Sequence, residues 1–274
     1  MRHCHFQILC DELPLLMQKT KWLYENFSQL IFYDLCIDGM CHSRDGSYEF
    51  LKNYPDPQNK ITIIEKMNLD DVEANNGGSR IQKQKMFRYA SSLVRDDIDV
   101  FWCSDADEFC DTEFIDDVER VLIENPSVMS VDMRHNYFWR DKDIILEHKH
   151  APGVGMTLFP RVCRHEPGRV YPHCAIQNLG PKHMIEDRKW YHFAWVGDKR
   201  TKAKFAHQPI TQEAFDIWFR DVWKNLDTSD ADSTPKGNPA PYIEGGRLGY
   251  TKFSGKLPSY INVDQLWKDL NNER

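Results

Sequence analysis

The stretch Val100-Phe101-Trp102-Cys103-Ser104-Asp105-Ala106-Asp107-Glu108-Phe109 is an apolar run that feeds straight into three carboxylates. Residues Ile98 to Cys103 read as a short buried strand. The carboxylates then fall at its carboxyl end, where open α/β sheets bind their ligands. Outward from this point, strand-like and helix-like segments alternate. Upstream lie a strand at Cys4–Leu9, a helix at Leu13–Phe27 with apolar residues at 13, 16, 17, 23 and 27, and a strand at Leu30–Tyr33 ending at Asp34. A short helix from Gly46 to Tyr54 stops at Pro55, and Ile61–Ile64 is a β-branched strand. Ser79 N-caps a helix running to about Val94, with Met86, Phe87, Ala90, Leu93 and Val94 on its buried side. Downstream, Thr112 opens a helix to about Glu124, and Val128–Met133 is a further strand. The alternation predicts an α/β fold with a mostly parallel central sheet and helices on both faces.

The second half is less periodic. Pro152 to Pro181, rich in Pro, Gly, Arg and His, reads as long functional loops with short strands. Thr211 to Asn225 reads as a helix with Phe215, Trp218, Phe219 and Trp223 near one face, and Asp227 to Pro241 as a polar loop or lid.

The 274 residues carry 35 Lys and Arg against 42 Asp and Glu, a formal net charge of −7. With 41% hydrophobic and 28% charged residues, the chain is neither disordered nor collagen-like. A nucleic-acid surface needs a basic face, so no nucleic-acid partner is expected. No window reaches the ~20 apolar residues of a membrane helix; the richest, Leu30 to Ile37, is interrupted by Asp34. Arg2, His3, His5, Asp11 and Glu12 break up any secretory leader core, so the expectation is a cytoplasmic protein, bacterial or, if viral, in the host cytoplasm. The eight cysteines form no Cys-x-x-Cys pair, which argues against a zinc ribbon and for free thiols.

In an extended segment Asp105 and Asp107 point to the same side, because side chains alternate with period two. Two converging carboxylates make a hard-oxygen site for Mn²⁺ or Mg²⁺, with positions left open for diphosphate oxygens. The plainer alternative is an acidic turn capping the next helix. A calcium EF-hand loop fails, since Phe109 stands at a ligand position and Cys110 at the turn glycine.

The strand with its Asp-x-Asp-Glu-Phe resembles the metal motif of GT-A-fold glycosyltransferases, particularly those related to family 2. Ile31-Phe32-Tyr33-Asp34 followed by Ser43-Arg44-Asp45-Gly46-Ser47 is similar to the family's nucleotide-binding element, with a short insertion that includes Cys36 to Cys41. Gln82 to Tyr89 resembles the helix before the metal strand, and Pro160-Arg161-Val162-Cys163-Arg164 the segment before the acceptor region. The resemblance implies a nucleotide-diphosphate sugar donor, a divalent metal on its diphosphate, and transfer to a carbohydrate-containing acceptor: a glycan, a lipid-linked sugar or a protein. It implies donor contacts at Asp34, Gln82, Lys85 and Asp105, with Asp105 and Asp107 on the metal. It also implies a catalytic domain over 1–210, with a nucleotide-binding half at 1–110 and an acceptor-side half at 111–210. Residues 211–274 then form a C-terminal helix and tail packed on the same domain.

A diphosphate also wants cations. Lys199, Arg200, Lys202 and Lys204 follow Trp195-Val196-Gly197 and read as a mobile phosphate clamp, or else as a solvated basic run. His192, within Tyr191-His192-Phe193-Ala194-Trp195, matches the late metal-binding histidine of many GT-A enzymes; a hydrogen-bonded core histidine is the alternative. His173, His183 and His207 are weaker candidates. The alternate-residue pairs His3/His5 and His148/His150 suit zinc on a strand but read better as surface polar residues. An inverting transferase needs a carboxylate base for the acceptor hydroxyl. Glu166, Glu186 and Asp187 are the candidates, and Asp187 is favoured because Glu186-Asp187 resembles the family's acidic pair. Where some relatives carry His-Glu, this chain has Ile176-Gln177, and a glutamine cannot act as base. Trp139, Trp190, Trp218 and Trp223 either stack on sugars or pack the core.

The expected activity is that of a metal-dependent, inverting hexosyl- or pentosyltransferase. A sugar nucleotidyltransferase would carry a Gly-rich loop where this chain has Cys10-Asp11-Glu12-Leu13-Pro14. A non-catalytic carbohydrate-binding protein would be β-rich rather than alternating.

Overall fold

The computed structural model describes residues 1–34, 43–64, 87–148, 161–171, 179–205, 211–225 and 248–271. The chain divides into two compact units. The first comprises Met1–Asp107, Asp111–Met133 and Phe159–Arg188; the second comprises Glu108–Cys110, Arg134–Leu158 and Lys189–Arg274.

The first unit is built on four parallel strands, β1 (His3–Leu9), β2 (Gln29–Asp34), β3 (Ile61–Ile64) and β4 (Val100–Asp105), in the order β3-β2-β1-β4. Every residue of β1 and β2 is buried, as expected where both faces of a parallel sheet are covered. The register pairs Leu9 with Asp34 and Ile8 with Asp105, so both aspartates stand at the carboxyl end of the sheet. A short strand, β8 (Val162–Arg164), runs antiparallel beside β4 and pairs with Ser130 and Val131.

The helices of this unit follow from their sequences. In α1 (Leu13–Asn26) Pro14 occupies the first turn, where its missing N–H costs nothing, and Leu15, Leu16, Trp22 and Leu23 are buried. Gly46 precedes α2 (Ser47–Lys52) at φ +95°, a conformation that glycine alone adopts freely. Residues 87–92 are helical, the described part of the helix expected from Ser79. α3 (Glu113–Glu124) buries Phe114, Ile115, Val118, Val121 and Leu122, a stripe of helical period. Phe101 stacks on Tyr171 at 4.5 Å within the core.

The second unit is antiparallel. β5 (Glu108–Phe109) pairs with β9 (Lys182–Val196), Glu108 opposite His192 and Phe109 opposite Tyr191. The distal part of β6 (Ser130–Arg140) pairs with β7 (Ile144–His148), and β7 with β10 (Leu248–Lys252). Phe138 stacks on Phe193 at 4.5 Å with planes 2° apart. Gly197, at φ +75°, joins β9 to α4 (Asp198–Phe205); a Cβ there would meet the carbonyl oxygen of Leu270 at 2.7 Å. Thr211 caps α5 (Gln212–Trp218), accepting from the Ala214 N–H, and α6 (Val263–Asn271) closes the described chain.

The expected α/β class holds, with the parallel strands confined to the core of the sheet and the rest antiparallel. Three local expectations change. β6 continues to Arg140, well past Met133, and β7 and β9 are regular strands where no strand was expected. The single helix expected over Thr211–Asn225 passes after Trp218 into a π-helical turn, Phe219–Trp223. His3 and His5 are not surface residues: they are 3% and 2% exposed on β1, since a strand covered on both faces buries every position. Among the described residues no helix is long and apolar enough to cross a membrane.

Candidate functional site

In the first unit, short polar side chains join the ends of β1 and β2. Asp34 is 5% exposed and accepts from the Ser43 N–H at 3.0 Å and from the Ser43 hydroxyl. Ser43 Oγ in turn accepts from the Asp11 N–H at 3.2 Å. Asp45 accepts from the Leu13 N–H at 2.7 Å, and from the Ser47 N–H and hydroxyl at 3.0 and 2.7 Å. The Ser43-to-Ser47 segment thus braces the turn into α1 and fixes the Asp34 carboxylate at the sheet's edge.

The Asp-x-Asp motif departs from the expected extended form. β4 ends at Asp105, residues 106–107 form a turn, and β5 starts at Glu108, so period-two alternation does not relate the two aspartates. Asp105 is partly exposed; Asp107 is 2% exposed. Two cations flank Asp105. The Arg161 guanidinium lies 3.6 Å from its carboxylate. Lys19, 1% exposed, reaches from α1 to donate to Ser104 Oγ at 2.9 Å and to the Asp105 carbonyl at 3.3 Å. Sequence reasoning missed Lys19. Its one signal was a lysine on the otherwise apolar face of α1. Arg161 lies in the segment similar to the family's acceptor-side element, a resemblance that does not mark it as a partner of Asp105.

His5 Nε2 meets the same Ser104 hydroxyl at 2.9 Å. Burial pushes the His5 pKa well down, and the Lys19 charge adds to this. The Ser104 hydroxyl thus joins the Lys19 ammonium, from which it accepts, to the His5 ring.

The three candidate bases are exposed. Glu166 is engaged by Arg169 at 2.6 Å. Glu186 and Asp187 lie on β9, next to Arg188, which donates to Asp117 on α3 at 2.7 Å. Burial opposes the Asp117 charge, but hydrogen bonds from Arg188 and Arg120 outweigh it and lower its pKa. Both arginines also feel the Asp187 charge.

In the second unit His192 is brought together with Glu108 and His135. One ligand atom from each lies within 4.8 Å of the others, and all three are buried. Of the basic run, Lys199 and Lys202 are exposed on the helix α4 rather than in a loop. The Lys202 ammonium lies 5.2 Å from the centroid of the Phe219 ring. Arg200 is 7% exposed and donates to the Phe193 carbonyl at 3.2 Å, so it braces β9. Trp139, Trp190, Trp218 and Trp223 are buried, Trp139 packing on Trp223. Gln82, Lys85, Pro160, His173, Gln177, His207, the Lys204 side chain and the loop 227–241 lie outside the described residues.

No protein-family model matches the chain, and no curated protein matches it. Among solved structures it is similar to S. aureus TarS 1–349 in complex with UDP-GlcNAc, at 13% identity and a TM-score of 0.46, over 73% of this chain and 61% of that one. It is similar to S. aureus TarS 1–349 at 12% identity and 0.43, over 84% and 75%. A third similarity, to S. aureus TarS, has 13% identity and 0.43, over 80% of this chain and 40% of that chain. The chain therefore spans less than two thirds of the first of these.

Proposed function

We propose that the chain is a metal-dependent, inverting glycosyltransferase that moves a hexosyl or pentosyl group from a nucleotide-diphosphate sugar to a carbohydrate-containing acceptor. The observation that carries this is the register of the parallel sheet, which sets Asp34, braced by Ser43, and Asp105, flanked by Arg161 and Lys19, at one carboxyl edge. Asp34 binds the nucleoside, accepting hydrogen bonds from its hydroxyls or base. Asp105 and Asp107 would hold Mn²⁺ or Mg²⁺; their donor set, carboxylate oxygen alone, fits a hard cation. When bound, that ion neutralises the diphosphate as it leaves. Arg161 and Lys19 keep the site from becoming too acidic for a diphosphate. Asp187, beside Arg188 on the same strand, takes the proton of the acceptor hydroxyl.

The test has two parts. Nucleoside diphosphates with Mn²⁺ should stabilise the protein by about 2.7 kcal/mol at about 100-fold their dissociation constant, and much less without metal. Asp187→Asn should then abolish transfer while leaving donor binding intact, with Glu166→Gln and Glu186→Gln as controls. Absence of nucleotide binding at any metal concentration overturns the reading; loss of transfer in Glu166→Gln alone moves the base.

A further inference from the structure

We propose that Glu108, His135 and His192 form a second metal site, selective for a borderline transition ion of the zinc class. The proposal stands on the second unit alone and does not depend on the transferase reading.

Three strands deliver the ligands. Glu108 lies on β5 directly opposite His192 on β9, and His135 lies on β6. Glu108 and His135 are 0% exposed and His192 is 8% exposed. Their ligand atoms fall within 4.8 Å of one another, and His192 Nδ1 lies 3.7 Å from Glu108 Oε1. That gap is longer than a direct N–H···O bond of about 2.7–3.2 Å. It is close to the spacing of two donors on one ion, since atoms about 2.1 Å from a tetrahedral zinc stand about 3.4 Å apart.

A divalent cation would take the Glu108 carboxylate and both imidazoles, in their neutral form, as ligands. The packing around the trio holds the rings in place: Tyr137 lies edge-on to His192 at 4.6 Å, and Trp190 stacks on His135 at 6.2 Å. Two imidazoles and one carboxylate favour zinc-class ions over Mg²⁺, whereas carboxylate oxygens alone favour Mg²⁺ or Mn²⁺. Three protein ligands leave a fourth position for water.

The experiment uses the full chain, stripped with chelator and titrated with Zn²⁺ alone, then with Co²⁺ as a spectroscopic probe. One equivalent of zinc per chain is expected, not displaced by excess Mg²⁺, together with the visible ligand-field bands of nitrogen- and oxygen-ligated cobalt. Loss of a residue that only hydrogen-bonds a ligand already costs about 10–100-fold in metal affinity, so His135→Gln, which removes a ligand, should cost at least about 100-fold and alter the cobalt spectrum. Asp107→Asn should retain the zinc, which separates failure here from failure of the transferase reading. Sub-stoichiometric zinc in the wild type, zinc displaced by Mg²⁺, or unchanged affinity in His135→Gln overturns the proposal. Should His135→Gln fail to fold, the wild-type stoichiometry and cobalt spectrum decide by themselves, with His192→Gln as the second variant.

Discussion

The two units bury polar groups in different ways. In the first, carboxylates stand at the end of a parallel sheet and are satisfied by backbone amides and hydroxyls from nearby loops, as Asp34 is by Ser43 and Asp45 is by Leu13 and Ser47. In the second, Glu108, His135 and His192 lie inside aromatic packing and face one another across strands. The first arrangement ties each carboxylate to backbone N–H and hydroxyl donors. The second buries a carboxylate and two imidazoles among aromatic rings. Polar residues at a sheet's edge therefore suggest substrate contact, and polar residues within a stack of tryptophans and tyrosines suggest a metal or a fold constraint.

The largest expected effect breaks the aromatic side of this comparison. Phe193 is 2% exposed, stacks on Phe138 and meets Phe109 edge-on at 5.6 Å. Phe193→Ala should cost about 3–5 kcal/mol, the usual range for a truncated core aromatic. Urea unfolding measures it. A loss below about 1 kcal/mol would mean that the rings of the second unit pack too loosely to hold a metal trio in register.

The next effect addresses the first unit. Asp107→Asn keeps the shape of a 2%-exposed side chain and removes its charge. Turnover of the donor should fall by about 10²–10³-fold, comparable to deleting one preorganised electrostatic contact in an active site, with the unfolding midpoint little changed. Unchanged turnover, or full activity after chelation of Mn²⁺ and Mg²⁺, would remove the motif from the chemistry.

Much of the first unit is legible in the sequence because its determinants are local. Cys4–Leu9, Leu13–Phe27, Ile61–Ile64 and Thr112–Glu124 each announce themselves by period, cap or β-branching, and each appears within a residue or two of its expected bounds. The carboxylates after Cys103 follow the strand that positions them. The second unit resists such reading. β9 lies in the second unit from Lys189 on, and the stretch that opens it, Lys182-His183-Met184-Ile185-Glu186-Asp187-Arg188, is charged and gives no strand signal. The Glu108–His135–His192 grouping is carried by strands remote in sequence, so no spacing rule could find it. His192 was visible as an isolated candidate; its partners needed the register of β5 and β9 and the extension of β6 past Met133. Lys19 was hidden for a related reason: a lysine on an apolar helix face is ordinarily a stem laid along the surface, and only the position of Ser104 makes it a buried donor.

The smallest effect concerns the buried histidines of the first unit. His5 is buried, meets the Ser104 hydroxyl and sits near the Lys19 ammonium, so burial first and that charge second push its pKa well below the ordinary value. Burial likewise lowers His165, and it lowers His3 against the pull of Glu119. Above pH about 6.5 the ring is neutral in folded and unfolded chains alike and contributes nothing to pH dependence. Below that value the unfolded chain takes up a proton that the folded chain refuses. Stability is therefore fully present above the unfolded pKa and is lost as the pH falls from there toward the folded one. Each such histidine contributes at most about 1.4 kcal/mol per pH unit. His5→Gln keeps an acceptor for Ser104 and has no ring to titrate. Between pH about 6.5 and 5.5 the wild type should lose stability more steeply than this variant, by up to about 1.4 kcal/mol, in paired urea titrations. Keeping above pH about 5 avoids the carboxylates, Glu119 among them, whose pKa is lowered because bonds from the N-terminal ammonium and His3 outweigh its burial. Equal slopes in the two proteins would mean that His5 carries a proton in the folded state, and that the Ser104 hydroxyl is oriented away from it.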